Sequence, residues 1–154
     1  MPHIHELYDF TVTPIIVFKD KVLFVNHPKY GMWIPPGGHV ELDKDPEETL
    51  FDEIAEETGL EVEILSSKPH VTDNRDNRKF LYTPHFMDVH DANPPHRHIA
   101  LVYFAKAKSD KFVKSDEHDD MKWLSEAELN DPKYDIAEAN RFYAGEAIKL
   151  AKNT

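Results

Sequence analysis

Three glutamates in the first half of the chain have a spacing that could hold a metal ion. Glu53, Glu56 and Glu57 stand at positions i, i+3 and i+4, which share one face of an α-helix. Three carboxylates this close repel one another, and each like-charged pair would destabilise an isolated helix by roughly 0.2–0.5 kcal/mol. A cation between them reverses that sign, and carboxylate oxygens suit hard ions such as Mg²⁺ or Mn²⁺. The alternative is a solvated acidic face that binds no ion.

The segment around these glutamates carries the signals of a well-capped helix. Asp45 is a good N-cap, Pro46 suits the first helical position, and Glu48 completes a capping box. Gly59 is placed to end the helix in a left-handed conformation. Five residues recur at helical spacing and are expected to form the buried stripe: Leu50, Phe51, Ile54, Ala55 and Thr58.

The helix and the glycines before it match a known motif. The stretch from Gly38 to Leu60 resembles the Nudix box, G-x5-E-x7-R-E-U-x-E-E-x-G-U, in which U is an aliphatic residue. Seven of its nine fixed positions match in one ungapped window: Gly38, Glu53, Ile54, Glu56, Glu57, Gly59 and Leu60. The lead-in from Trp33 to Gly37 is also similar to that of the family. Length and predicted element order resemble one whole Nudix domain, which would span residues 1–154.

The resemblance implies a metal-dependent pyrophosphohydrolase that cleaves a phosphoanhydride bond in a nucleoside diphosphate derivative or a similar small phosphorylated metabolite. Glu53, Glu56 and Glu57 would be the catalytic carboxylates, and together with Gly38 they would bind Mg²⁺ or Mn²⁺. The metals would bridge phosphate oxygens, offset their charge and lower the pKa of an attacking water. A carboxylate near the metals would take the proton of that water, and Glu53 is a candidate for this general base.

An acidic segment late in the chain is similar to the loop from which family members often take one more ligand. It runs from Ser115 to Asp120 and precedes Trp123. The resemblance implies that Glu117 is the additional metal ligand. The alternative is an exposed acidic turn.

Two positions depart from the box. Lys44 stands where the family has Glu, and Asp52 stands where it has Arg. That Arg is thought to orient the metal-binding carboxylate beside it, and Asp52 cannot donate the same hydrogen bonds. The exchange keeps a pair of opposite charges, so we predict that Lys44 and Asp52 form a functional pair. The alternative is two independent losses in a decaying site.

The observations leave two kinds of protein open and disfavour a third. The first is the hydrolase, and the second is a catalytically weak or inactive ligand-binding or sensing module on a Nudix fold. The third, an isomerase of isoprenoid diphosphates on the same fold, uses a catalytic cysteine, and this chain has no cysteine.

Histidines and arginines concentrate beyond the box. His96 and His98 would point to the same face of a strand. Imidazoles bind metals, or phosphate when they are protonated, and Arg side chains form bidentate bonds to phosphate. We therefore predict five substrate-binding residues: Arg75, Arg78, Arg97, His96 and His98. The alternatives are ordinary histidines with satisfied hydrogen bonds and surface salt bridges. The segment from Asn74 to Arg78 lacks the Pro or Tyr that reports substrate class in some subfamilies.

The remaining elements must position these residues. β-rich runs at Thr11–Phe18 and Lys21–His27 predict a hairpin that turns at Lys19 and Asp20. Four further strands and a second long helix are expected at Leu60–Leu65, Phe80–His90, His98–Ala107, Met121–Leu124 and Asp135–Lys152. This order indicates an α/β fold, a mixed sheet with helices packed on it. The resemblance narrows it to a Nudix-type α/β/α sandwich with the mixed β-sheet between helices.

Composition excludes several classes of protein. The 154 residues fit one domain, and no run of 18 apolar residues exists that could cross a membrane. With a net charge of -11, the chain is a poor candidate for binding polymeric nucleic acid. The absence of cysteine and of a basic-then-apolar start at Met1–Leu7 leads us to expect a cytoplasmic protein. The expected partner is a small nucleotide-like diphosphate, and the oligomeric state is left open, a homodimer included.

Overall fold

A mixed eight-stranded sheet forms the centre of the molecule. The structure is a computed structural model, and it describes residues 6–27, 31–113 and 120–154. The strands in these ranges are β1 Tyr8–Phe18, β2 Lys21–Asn26, β3 Trp33–Ile34, β4 Gly38–His39, β5 Val62–Ile64, β6 Phe86–Asn93, β7 His96–Ala107 and β8 Asp120–Ser125. The helices are α1 Pro46–Thr58, α2 Glu126–Leu129 and α3 Glu138–Lys152, with a 3₁₀ turn at Pro132–Tyr134.

β1 is the central strand, and it pairs in both senses. It is antiparallel to β2 through the predicted hairpin, in which Lys19 adopts a φ of 54°. It is parallel to β7 from Tyr8 opposite Arg97 to Val17 opposite Lys106. β4 adds to β1, β3 and β8 add to β2, and β5 and β6 add to β7. The parallel pair makes the sheet mixed, as the order of the elements predicted.

Two hydrophobic clusters hold the helices on opposite faces of the sheet. One contains Ile15 and Val17 of β1 together with Ala144 and Ile148 of α3. The other contains Val12 and Ile16 of β1 together with Leu50 and Ile54 of α1. Because residues alternate between the faces of a strand, the two clusters lie on different sides of the sheet. The predicted α/β/α sandwich is therefore confirmed.

Several predicted boundaries are wrong for reasons beyond local sequence. β6 begins at Phe86 and not at residue 80, because the Tyr82 N–H bonds to the Glu47 carboxylate and not to a neighbouring strand. β6 then continues to Asn93, beyond its predicted end at His90, and a turn at residues 94–95 joins it to β7. α3 begins at Glu138, because Asp135 has a left-handed φ of 47° that ends the preceding 3₁₀ turn.

No helix in the described part of the chain is both long enough and apolar enough to span a membrane.

Candidate active site

Local hydrogen bonds define both ends of α1, as its sequence predicted. The Asp45 carboxylate accepts from the Glu48 N–H at 2.8 Å, and the Glu48 carboxylate accepts from the Asp45 N–H at 3.4 Å. Gly59 ends the helix at a φ of 67°, and its N–H donates to the carbonyl oxygens of Ala55 and Ile54. These caps fix the position of the glutamates between them.

The three glutamates of the box differ in burial. Glu53 and Glu57 are only 8% and 2% exposed, whereas Glu56 faces solvent. The alternative of a solvated acidic face therefore does not hold for Glu53 and Glu57. The buried stripe of α1 is rotated from the predicted one, and its buried residues are Glu47, Thr49, Leu50, Glu53, Ile54, Glu57 and Thr58. Phe51 and Ala55, which were predicted to be buried, are exposed.

Electrostatics at the end of α1 favour a cation. Glu56 and Glu57 stand in its last turn, which contains no basic residue. The last turn of a helix exposes carbonyl oxygens and carries a partial negative charge, so carboxylates there are unfavourable and cations are favourable. Partly buried carboxylate oxygens are also the donors that Mg²⁺ and Mn²⁺ prefer. The side chains present therefore fit a hard divalent ion.

The short strand β4 carries Gly38 beside α1. It pairs with β1 so that Gly38 lies opposite Val12 and His39 opposite Thr11, and it packs against α1. Gly37, just before it, has a φ of 157°, and a Cβ at this position would overlap the carbonyl oxygen of Val12. Only glycine permits this close approach, which sets the register that places Gly38 near the helix.

The two residues that depart from the box contact one another. Lys44 Nζ lies 2.8 Å from Asp52 Oδ2, with 34% and 48% of the two side chains exposed. The hydrogen bond to Asp52 raises the pKa of the Lys44 ammonium. The predicted contact is confirmed, and Asp52 directly precedes Glu53 in α1. Its role in turnover stays a prediction.

The loop between β5 and β6 is tied to the start of α1. Glu47, 8% exposed, accepts from Lys68 Nζ at 3.3 Å and from the Tyr82 N–H at 3.4 Å. Lys79 Nζ donates to Asp45 at 2.8 Å. Burial raises the pKa of Asp45, but the bonds from Lys79 and from the Glu48 N–H outweigh burial and lower it to about 2. Sequence reasoning missed these contacts, because nothing local pairs residues so far apart.

The three predicted arginines are not brought together in this structure. Arg75 is exposed and lines a shallow depression formed by residues 71–75. Arg78 bonds to Asp76 at 2.8 Å, and Arg97 bonds to Asp91 at 3.1 Å. Arg78 and Arg97 therefore form surface ion pairs, which was the alternative to substrate binding. A substrate-binding role for the arginines stays a prediction.

His96 and His98, in contrast, join a compact group that also contains Asp9 and His39. One nitrogen or oxygen from each of the four side chains lies within 4.8 Å of the others. His96, His39 and Asp9 are buried, with exposures of 5%, 7% and 2%. Sequence analysis predicted that His96 and His98 share a face, but it missed Asp9 and His39. The alternation of Tyr8, Asp9 and Phe10 was the available signal, because it extends β1 back to Asp9.

The predicted ligand Glu117 lies outside the described residues. Its role therefore stays a prediction.

Comparisons with known proteins agree with this architecture. The NUDIX domain family profile matches residues 9–144. A solved NUDIX-family hydrolase from Clostridium perfringens is 33% identical in sequence. Its superposition covers 93% of this chain and 97% of that chain, with a TM-score of 0.78.

Two curated relatives match shorter segments. A MutT-like protein from Streptomyces ambofaciens is 37% identical over 59 residues, which are 38% of this chain and 38% of that protein. A probable DHNTP pyrophosphohydrolase from Lactococcus lactis subsp. cremoris (strain MG1363) is 47% identical over 46 residues, 29% of this chain and 28% of that protein. The matched segments thus span well under half the length of these relatives. The profile covers most of the chain and the solved hydrolase aligns along nearly all of it, so the chain belongs to the NUDIX family.

Proposed function

We propose that this protein is a metal-dependent pyrophosphohydrolase that cleaves a phosphoanhydride bond in a nucleoside diphosphate derivative or a similar small phosphorylated metabolite. The observation that carries the proposal is the position of Glu53 and Glu57, which are largely buried in the second half of a helix without a basic residue in its last turn. Membership of the NUDIX family and the likeness to a solved hydrolase support a hydrolase that acts on pyrophosphates.

Each residue of the box has a proposed task. Glu53, Glu56 and Glu57 would hold one or more Mg²⁺ or Mn²⁺ ions, with Gly38 contributing from β4. A bound ion would polarise the phosphoryl oxygens and lower the pKa of a water molecule. Glu53 is our candidate for the proton acceptor. The ion pair between Lys44 and Asp52 would hold this face of the helix in place, the task that the family gives to Arg.

The ion pair between Lys44 and Asp52, whose charged atoms are 2.8 Å apart, supports the charge exchange over two independent losses in a decaying site. An exposed pair contributes little to stability, so turnover is the readout that separates the two alternatives. We therefore keep the enzyme as the proposed function.

A turnover assay over a substrate panel tests this proposal. The panel contains nucleoside triphosphates, nucleoside diphosphate sugars, dinucleoside polyphosphates and DHNTP, because a relative is named for the last of these. Each compound is incubated with Mg²⁺ or Mn²⁺, and released phosphate or pyrophosphate is measured. We expect metal-dependent release from at least one of them. The Glu56→Gln/Glu57→Gln variant is the control for contaminating phosphatases. Binding of these compounds without turnover would instead support the ligand-binding alternative.

A further inference from the structure

We propose that Asp9, His39, His96 and His98 form a second metal site, which binds a divalent transition-metal ion such as Zn²⁺ and is separate from the carboxylates of α1. We call these four residues the histidine cluster. Its side chains come from three strands, β1, β4 and β7, which meet at the end of the sheet where β1 and β7 begin. Strands hold side chains more rigidly than loops do, which favours a preformed site.

The histidine cluster lies on the other face of the sheet from α1. Asp9 is opposite His98 in the parallel pair, and His96 and His98 continue the alternation of Ala100 and Val102 along β7. Ala100 and Val102 pack in the hydrophobic cluster that contains α3. Side chains two apart on a strand share a face, so the histidine cluster points to the α3 side. An ion bound there would not be the ion of the Nudix box.

The distances within the histidine cluster suit tetrahedral coordination. With metal–ligand bonds of about 2.0–2.2 Å, ligand atoms in a tetrahedral zinc site lie about 3.3–3.6 Å apart. Here His96 Nε2 is 3.3 Å and His39 Nε2 is 3.7 Å from Asp9 Oδ2. His39 Nε2 is 3.0 Å from His98 Nε2. Small side-chain adjustments would therefore bring all four atoms around one ion.

A backbone hydrogen bond orients His96 for this task. Its Nδ1 lies 3.0 Å from the carbonyl oxygen of Glu6, and since a carbonyl only accepts, Nδ1 must carry the proton. The other ring nitrogen, Nε2, then faces Asp9 Oδ2 at 3.3 Å, on the side of the ring where an ion would bind. A metal-binding histidine usually donates the N–H of its other ring nitrogen to a carbonyl or carboxylate oxygen, as His96 does here.

Donor chemistry selects the ion. Three imidazole nitrogens and one carboxylate oxygen form a borderline donor set, which suits Zn²⁺ and its neighbours in the first transition row. Mg²⁺ prefers oxygen donors and octahedral coordination, so it would bind poorly here. The two sites of this protein would thus select different metals.

Binding of Zn²⁺ alone tests the proposal, with no substrate present. Metal-free protein is titrated with Zn²⁺ in the presence of excess Mg²⁺, and bound zinc is counted after gel filtration. Co²⁺ replaces Zn²⁺ in a parallel titration, because its visible absorption reports the coordination geometry. We expect one Zn²⁺ per chain and a tetrahedral Co²⁺ spectrum. Absence of Zn²⁺ binding by the wild-type protein would overturn the proposal.

Variants show which residues hold the ion. His98→Ala and His96→Gln should weaken Zn²⁺ binding by more than about 100-fold, because loss of an outer partner alone usually costs about 10- to 100-fold. His70→Ala, which removes an exposed histidine, is the matched control and should bind as the wild type does. The Glu56→Gln/Glu57→Gln variant should also bind normally, whether or not the proposed hydrolase activity is correct. Zinc lost from that variant and retained by His98→Ala would refute the proposal.

A measurement on the wild-type protein guards against misfolded variants. Circular dichroism and Tm in EDTA show whether each variant folds. The imidazole ¹⁵N signals of His39, His96 and His98 in the wild type should shift on addition of Zn²⁺, and that of His70 should not. Unchanged signals of the histidine cluster would contradict the site even if every variant unfolded.

Discussion

α1 and α3 pack on opposite faces of one sheet, and they differ in the charges of their last turns. α3 has Glu138 in its first turn and Lys149 and Lys152 in its last turn. This distribution opposes the partial charges at the helix ends and is stabilising. α1 has favourable acidic residues in its first turn, but its last turn contains Glu56 and Glu57 and no basic residue. The charges at both ends of α3 therefore stabilise that helix, whereas the charges in the last turn of α1 do not stabilise α1.

The N-terminal caps of the two helices also differ, and here α1 has the more favourable arrangement. α1 begins with a capping box at Asp45, whereas α3 begins at Ala137 without a side-chain cap. Strong caps at both ends of α1 offset the repulsion within it. The comparison teaches that the last turn of α1 is not arranged for helix stability. The proposed cation would make its carboxylates favourable.

Removal of two carboxylates from α1 should have the largest effect on turnover, and the matched change in α3 should have almost none. The Glu56→Gln/Glu57→Gln variant should lose at least about 100-fold in kcat, because the metal supplies much of the stabilisation of the transition state. Glu146→Gln in α3 is the matched control and should stay within about twofold of the wild type. Near-full activity of the double variant would place the metal site elsewhere. The measurement is metal-dependent turnover on the best substrate of the panel.

A double-mutant cycle on Lys44 and Asp52 tests the charge pair on the exposed side of α1. Lys44→Glu and Asp52→Arg should each lower kcat by roughly tenfold, because each places like charges in contact beside Glu53. The two changes together restore the usual box and should recover at least the starting activity. If the two effects on kcat simply multiply, the residues are not coupled, and the decayed-site alternative gains support.

Arg97 should act on substrate binding and not on chemistry. It stands on β7, outside both helices, and its bond to Asp91 is exposed. Arg97→Ala should raise KM by roughly three- to tenfold with kcat nearly unchanged, the pattern expected when uniform binding is lost. Lys108→Ala removes an exposed cation just beyond the opposite end of β7 and should change neither constant. An effect of Arg97→Ala on kcat alone would assign Arg97 to the chemical step.

Substitutions at the two N-caps should change the stability of the protein in opposite directions. Asp45→Ala should lower the free energy of unfolding by about 1 kcal/mol, because the Glu48 N–H at the start of α1 loses its side-chain acceptor. Ala137→Ser should raise it by roughly 0.5–1 kcal/mol, because Ser supplies the cap that α3 lacks. Urea unfolding measures both. A loss of stability in Ala137→Ser would show that α3 cannot accept a cap there.

The pH dependence of unfolding should separate the charge of Asp45 from its role as a cap. Its pKa is about 2 in the folded protein and 3.8 in the unfolded reference, so its charge stabilises the fold above pH 3.8. That contribution is lost as the pH falls through about 2. Asp45→Asn keeps a good N-cap without the charge. Its deficit relative to the wild type should be constant above pH 5 and shrink towards pH 2. A deficit that does not change with pH would contradict the depressed pKa.

Local features were predictable from sequence, and contacts between distant segments were not. The caps of α1 at Asp45 and Gly59 follow from residues within one turn, and both predictions are confirmed. The pair of Lys44 and Asp52 was found because the two departures from the box are complementary. Asp9 was missed, because its neighbours depend on the parallel pairing of β1 with β7. No residue near Asp9 in sequence indicates that pairing.

Burial was the least predictable property of the site. Glu53 and Glu57 were predicted to share a polar face with Glu56, but they lie within the buried stripe of α1. Phe51 was predicted to be in that stripe and is 39% exposed. Helical spacing defines which residues share a face, but the packing of the sheet decides how that face is rotated.

The central claim is that the carboxylates in the last turn of α1 are unfavourable without a cation and favourable with one. Glu56 tests it best, because its side chain is exposed and its removal disturbs no buried group. The free energy of unfolding is measured for the wild type, Glu56→Gln and the α3 control Lys149→Gln, each in EDTA and in Mg²⁺. In EDTA, Glu56→Gln should be more stable than the wild type by about 0.3–1 kcal/mol, and Lys149→Gln less stable by a similar amount. Mg²⁺ should stabilise the wild type and Lys149→Gln equally and Glu56→Gln clearly less. Equal stabilisation of all three proteins by Mg²⁺ would contradict a metal site at the end of α1.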